Sequence, residues 1–114
     1  MKLKSILIVA VLVIAQLVVH AQGPAATQAG SSAPVEVKVD NFSFSPATIT
    51  VKPGTTVRWT NRDDIPHTVV EDNQKFQSKT LDTDETYSYT FTKPGTYGYF
   101  CSIHPKMTGK VVVQ

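Results

Sequence analysis

The chain has 114 residues, 11 Lys and Arg against 9 Asp and Glu, and a single cysteine. One domain is the expectation at this length, and no Lys/Arg cluster is present to follow a phosphate backbone, which excludes nucleic acid as a partner. With no second cysteine to form a disulfide, the thiol is buried and inert, reactive, or held by something.

Residues 1–21 read M-K-L-K-S-I-L-I-V-A-V-L-V-I-A-Q-L-V-V-H-A. Lys2 and Lys4 give a positive start, residues 6–19 form an apolar run broken only by Gln16, and Val19-His20-Ala21 offers small or compact residues for a signal peptidase. This pattern predicts a signal peptide cut after Ala21. A retained anchor fits less well, because the run falls short of the roughly 20 residues that span a bilayer. The mature protein is expected in the periplasm or secreted, not embedded in a membrane. Loss of Lys2 and Lys4 leaves its charge near zero.

Residues 22–34, rich in Ala, Gly, Ser and Pro and free of charge, read as a flexible linker. The folded domain is then 35–114. A unit this small buries only about 60% of its unfolded surface, so a bound metal or ligand would add needed stability.

Within the domain the pattern is that of short strands with period-2 alternation. Val35, Val37 and Val39 alternate with Glu36, Lys38 and Asp40; Phe42 and Phe44 fall on the other parity, which predicts a bulge or bend near Asn41. Ile49 and Val51 lead to a turn at Lys52-Pro53-Gly54. Val57 and Trp59 alternate with Arg58 and Thr60, and a strand is expected to open at His67 and run to Val70. Residues 71–85 are irregular, with Phe76 and Leu81 as isolated apolar anchors. Tyr87, Tyr89 and Phe91 alternate before a second turn at Lys93-Pro94-Gly95, and strands over 97–101 and 110–113 close the chain. Seven or eight short strands predict an all-β, two-sheet sandwich with Greek-key connections. Trp59, Phe100 and the four tyrosines are assigned to packing, and Asp63-Asp64 to a solvated turn.

The segment Y-F-C-S-I-H-P-K-M places Cys101, His104 and Met107 three residues apart. On one loop between two strands these side chains can converge. His67, the other histidine of the domain, follows turn residues 34 positions earlier and can meet them at one end of a sandwich. Thiolate and thioether are soft donors, imidazole intermediate; two His and one Cys with a weak axial Met form the blue-copper arrangement. Zinc gains little from a thioether and finds no fourth strong ligand here.

V-R-W-T-N-R-D-D-I-P-H-T-V (57–69) and Y-G-Y-F-C-S-I-H-P-K-M-T-G-K-V-V-V (97–113) resemble the cupredoxins, the small blue copper proteins, most closely their amicyanin and plastocyanin-like branch. The short spacing from His104 to Met107, with Pro105 after His104, is the amicyanin pattern. The resemblance implies a Greek-key barrel or sandwich, one type 1 copper ion ligated by His67, Cys101, His104 and Met107, and one-electron transfer between redox proteins. Thr68 stands where the family usually has Asn, and Ser102-Ile103 where it has Thr/Ser-Pro.

Four protein ligands leave no open position for substrate, so the expectation is a monomeric electron carrier and not an enzyme. Ile65, Pro66, Ile103, Pro105 and Met107 are expected to form an apolar rim around His104 where a redox partner docks. The rival readings are a copper storage or delivery module, a metal-free β-sandwich interaction domain with Cys101 merely buried, and a Cys–His nucleophile. The chain has no Met-rich or His-rich tract for the first, and so small a sandwich has little room for the cleft the last requires.

Overall fold

A computed structural model describes residues 33–114. The expected leader at 1–21, and the linker at 22–34 apart from Ala33 and Pro34, lie outside the described residues. Eight strands follow in order: β1 (Val35–Asp40), β2 (Ser43–Ser45), β3 (Thr48–Val51), β4 (Thr55–Asn61), β5 (Val70–Glu71), β6 (Thr86–Phe91), β7 (Gly95–Phe100) and β8 (Thr108–Val113). They form two four-stranded sheets, β2-β1-β4-β6 and β3-β8-β7-β5. The all-β sandwich expected from the alternation is the architecture found. Both sheets are mixed: β1 runs parallel to β4 and β3 parallel to β8, while the other neighbours are antiparallel.

Alternation sets which side chains face inward. Val37 and Val39 of β1, Val57 and Trp59 of β4, Phe91 of β6, Tyr99 of β7 and Val111 and Val113 of β8 make the core between the sheets. Trp59 sits at its centre, packed edge-on to Tyr99 at 5.3 Å and tilted against Phe76, Tyr87 and Phe91. Phe100 points the other way and is only half-buried, so its assignment to the core was wrong: its parity opposes that of Tyr99 and Cys101.

The turn at Lys52-Pro53-Gly54 forms as expected. Thr55 N donates to Lys52 O at 3.1 Å, and Gly54 supplies the positive φ of 94° that a type II turn demands. Near Asn41 the chain bends as expected, and the bend is a tight hairpin turn rather than a bulge. Asp40 pairs with Ser43, so Asn41-Phe42 is a two-residue hairpin loop, and both residues have positive φ, 53° and 58°. That is the type I′ geometry favoured by the twist of hairpin strands. The strand expected to open at His67 is shorter than its sequence suggested. His67 makes an isolated bridge to Leu81, and β5 holds only Val70 and Glu71. The irregular 71–85 segment drops Phe76 and Leu81 into the core and so closes the gap between the sheets.

β8 must pass close to Tyr99. A Cβ at Gly109 would fall inside the van der Waals envelope of the buried Tyr99 ring, which has no room to move. Gly109→Ala is expected to cost about 1–3 kcal/mol by overpacking, read as a lower urea midpoint. A midpoint equal to that of the parent would show that the ring yields.

Candidate metal centre

Cys101 lies immediately after β7 on the inward parity of Tyr99, and its side chain is fully buried and free. The chain then folds back in tight turns. His104 N donates to Cys101 O at 3.1 Å, Met107 N to His104 O at 2.9 Å, and Cys101 N to Met107 O at 3.1 Å. These bonds satisfy the loop internally and return it to β8. Met107 is buried in the core cluster beside Cys101, whereas His104 is partly exposed.

His67 reaches the same end of the sandwich from β4. Asn61, the fully buried last residue of β4, organises this approach: its amide donates to the carbonyls of Ile65 and Leu81, both at 2.9 Å, and its oxygen accepts from Asp63 N at 2.8 Å. His67 and Leu81 exchange both backbone bonds, at 3.1 and 2.8 Å. The imidazole is thereby buried and fixed between two partners. Nε2 is 2.9 Å from Asp63 Oδ2, and Nδ1 is 3.8 Å from Cys101 Sγ. A carboxylate accepts, so Nε2 carries the proton and Nδ1 presents a lone pair toward the sulfur. This is the tautomer and orientation that a second carboxylate imposes on metal-binding histidines. The same bond pulls the Asp63 carboxyl below its ordinary range; burial opposes this, and the amides of Phe42 and Asp64 add to it.

Burial would push the Cys101 thiol up. The Thr68 amide at 3.3 Å and the amides of His104 and Ile103 donate to the sulfur, and the thiol is held below its ordinary value. These donors shift the thiol toward the thiolate, the form that binds metals. Thr68 also ties the two segments together: its hydroxyl oxygen accepts from Ser102 N at 2.7 Å and lies 2.8 Å from Ser102 Oγ. Thr68, which stands where the resemblance leads one to expect Asn, thus pairs with Ser102 between the two loop donors.

The donor set fits a single ion at the His67–Cys101 pair. With metal–donor bonds of about 2.0–2.3 Å, two ligands at tetrahedral to trigonal angles lie about 3.6–3.8 Å apart, and the two atoms are 3.8 Å apart. His104 stands beside them, its ring centroid 5.1 Å from that of His67. Among the described residues no three His, Cys, Asp or Glu side chains are gathered as a closed metal cluster. Of the four expected ligands, two are thus at ligand separation, His104 adjoins them as a ring neighbour, and Met107 is buried at the foot of the same loop.

Three residues in the site escaped the sequence reading. Asp63 is not merely a solvated turn residue but the partner of His67, and the signal was its position four residues before it. Asn61 carries a turn network that its residue type alone does not announce. Phe42 packs edge-on against both imidazoles, 5.1 Å from His104 and 5.9 Å from His67. Of the expected rim, Pro66, Ile103 and Pro105 are exposed and Ile65 is partly buried, but Met107 is buried in the core and does not belong to the rim.

The Thr68 hydroxyl is expected to matter before any metal binds. Thr68→Val keeps the shape and the amide but removes the bonds to Ser102, which should cost about 1–2 kcal/mol. Chemical denaturation of the metal-free protein measures this, and an unchanged midpoint would remove the pin from the account.

The cupredoxin-like domain family matches residues 6–113. Amicyanin-alpha of Methylorubrum extorquens is 38% identical over 96 residues, covering 78% of this chain and 79% of that protein. The chloroplastic plastocyanin of Tetradesmus obliquus is 39% identical over 84 residues, covering 62% and 58%. Among solved structures, the Cu(I) form of an amicyanin variant superposes with a TM-score of 0.69 at 34% identity, covering 74% of this chain and 85% of that one. Matched over most of its length in both sequence and fold, the chain belongs to the cupredoxin family, whose amicyanin and plastocyanin members are its relatives.

Proposed function

We propose that this protein is a type 1 copper electron carrier, exported by its first 21 residues, with His67, Cys101, His104 and Met107 as the ligands of one copper ion. The observation that carries the reading is the buried pair of His67 Nδ1 and Cys101 Sγ, 3.8 Å apart, with the imidazole tautomer and the thiol both biased toward ligation. Bound copper supplies a one-electron couple. Asp63 orients the His67 ring, and the Thr68 amide donates to the Cys101 sulfur and so supports its thiolate. The turns of residues 101–107 keep the loop ligands in place. Copper in the relatives supports the choice of metal: the amicyanin structure is a Cu(I) form.

A carrier must meet its partners. Pro66, Ile103, Pro105 and the Phe42 ring are exposed and Ile65 and His104 partly so; Phe42 packs against His104, and Ile103 and Pro105 flank it in the chain, which supports an apolar docking zone at this end. A redox protein docking there comes against the His104 imidazole. A lone free thiol in an exported protein is protected here by complete burial.

Purified protein mixed with Cu(II) should develop an intense blue thiolate-to-copper band. The band should bleach on reduction and be absent from Cys101→Ser. A colourless protein that binds no copper would overturn the reading and favour a metal-free interaction domain. Ile103→Glu should leave that band in place and lower the second-order rate constant with a redox partner by about tenfold, because a charge is desolvated in the contact. Stopped-flow rates equal to those of the parent would remove this rim from the docking surface.

A further inference from the structure

Phe42 occupies a costly position. In a type I′ hairpin both loop residues need positive φ, which suits Asn at the first position and Gly at the second. Asn41 meets that demand, but the second position holds a bulky aromatic residue at φ 58°. Its ring is also 54% exposed, so burial does not explain its presence. What the ring touches is the imidazole pair: His104 at 5.1 Å and 81°, His67 at 5.9 Å and 90°. The two imidazoles lie 5.1 Å apart, so the three rings form a compact triangle.

The backbone registers this triangle. Phe42 N donates to Asp63 Oδ2 at 3.2 Å, and the same oxygen accepts from His67 Nε2 at 2.9 Å. One carboxylate oxygen therefore ties the hairpin tip to the His67 ring. Through that tie the Phe42 side chain is set against the other imidazole, His104, which belongs to a different loop and has no comparable side-chain hydrogen bond among the described residues.

We propose that Phe42 is a positioning residue of the redox centre: the Asp63-anchored hairpin tip holds its ring against His104 and keeps that imidazole in a single orientation. The inference rests on the ligand set proposed above. Holding His104 in place serves electron transfer by keeping the ligands alike in both oxidation states. Without the ring His104 swings more freely, which favours Cu(I), since the softer ion relies more on sulfur donors.

The test uses the full chain with Phe42→Asn and Phe42→Tyr. Asn adopts positive φ readily, so the hairpin survives and the thermal midpoint holds or rises. In the metal-free protein, three-bond couplings should report one His104 χ1 rotamer in the parent and rotamer averaging in Phe42→Asn. In the copper-loaded protein, Phe42→Asn should show a raised reduction potential and release copper about tenfold faster, the scale of a lost aromatic contact pair. Phe42→Tyr keeps the ring and should match the parent in all three readouts. A Phe42→Asn protein with the parent's His104 rotamer, potential and release rate would overturn the proposal. A parent that forms no blue band would overturn the copper reading instead, and the metal-free couplings would still decide whether Phe42 holds His104.

Discussion

The Thr68 amide donates to the Cys101 sulfur, and the geometry of the whole site depends on that contact. It joins two segments 33 residues apart, one arriving from β4 and the other leaving β7. A buried thiol is a weak acceptor when neutral and a strong one when ionised, so the bond both fixes the sulfur and favours its charged form. The adjacent Ser102–Thr68 bonds keep the two segments from sliding past each other. His67 immediately precedes Thr68, so fixing the amide also fixes where the imidazole emerges.

The rest of the molecule supplies a rigid mount for that contact. Trp59, Tyr99, Phe76 and Phe91 form an aromatic cluster between the sheets. Tyr99 is two residues from Cys101 on the same face of β7, so the position of its ring transmits the core to the thiol. Burial holds the Tyr99 phenol pKa up to about 12, and it stays neutral beside Cys101. Among the described residues neither Tyr99 Oη nor Trp59 Nε1 has a hydrogen-bond partner, a cost accepted where the largest side chains of the core meet. Phe76 and Leu81 extend the cluster from the irregular segment. Because Leu81 also pairs with His67, the loop filling the core is the loop that holds that imidazole.

The surface divides by chemistry in the same way. On the outer face of the β2-β1-β4-β6 sheet, Arg58 pairs with Glu36 and Arg62 with Asp84. These exposed pairs add little stability, but they keep that face polar and self-satisfied. Among the described residues, Phe42 and Ile103, at the end bearing His104, are two of the few large apolar side chains left open. The proposed carrier role would use such an apolar zone set against otherwise charged surface for brief contacts.

Much of this was legible in order along the chain. Alternation marked Val37, Val39, Val57, Trp59 and Tyr99 as inward-facing, since period 2 is a local property of an extended backbone. Pro53-Gly54 marked its turn because only glycine takes that φ freely. Cys101, His104 and Met107 announced a loop of soft donors because their spacing is short and their chemistry shared. Tertiary structure alone decided the parallel pairing of β1 with β4 and β3 with β8, since alternation says which side faces the core and not which strand lies alongside. It alone turned Asp63 from a solvated turn residue into the anchor of His67, set Phe42 over two imidazoles, and shortened the expected strand at His67 to a bridge. Each of these depends on groups more than a dozen residues apart, or on the direction of a side chain in a turn, and neither is encoded in a local pattern of residue types.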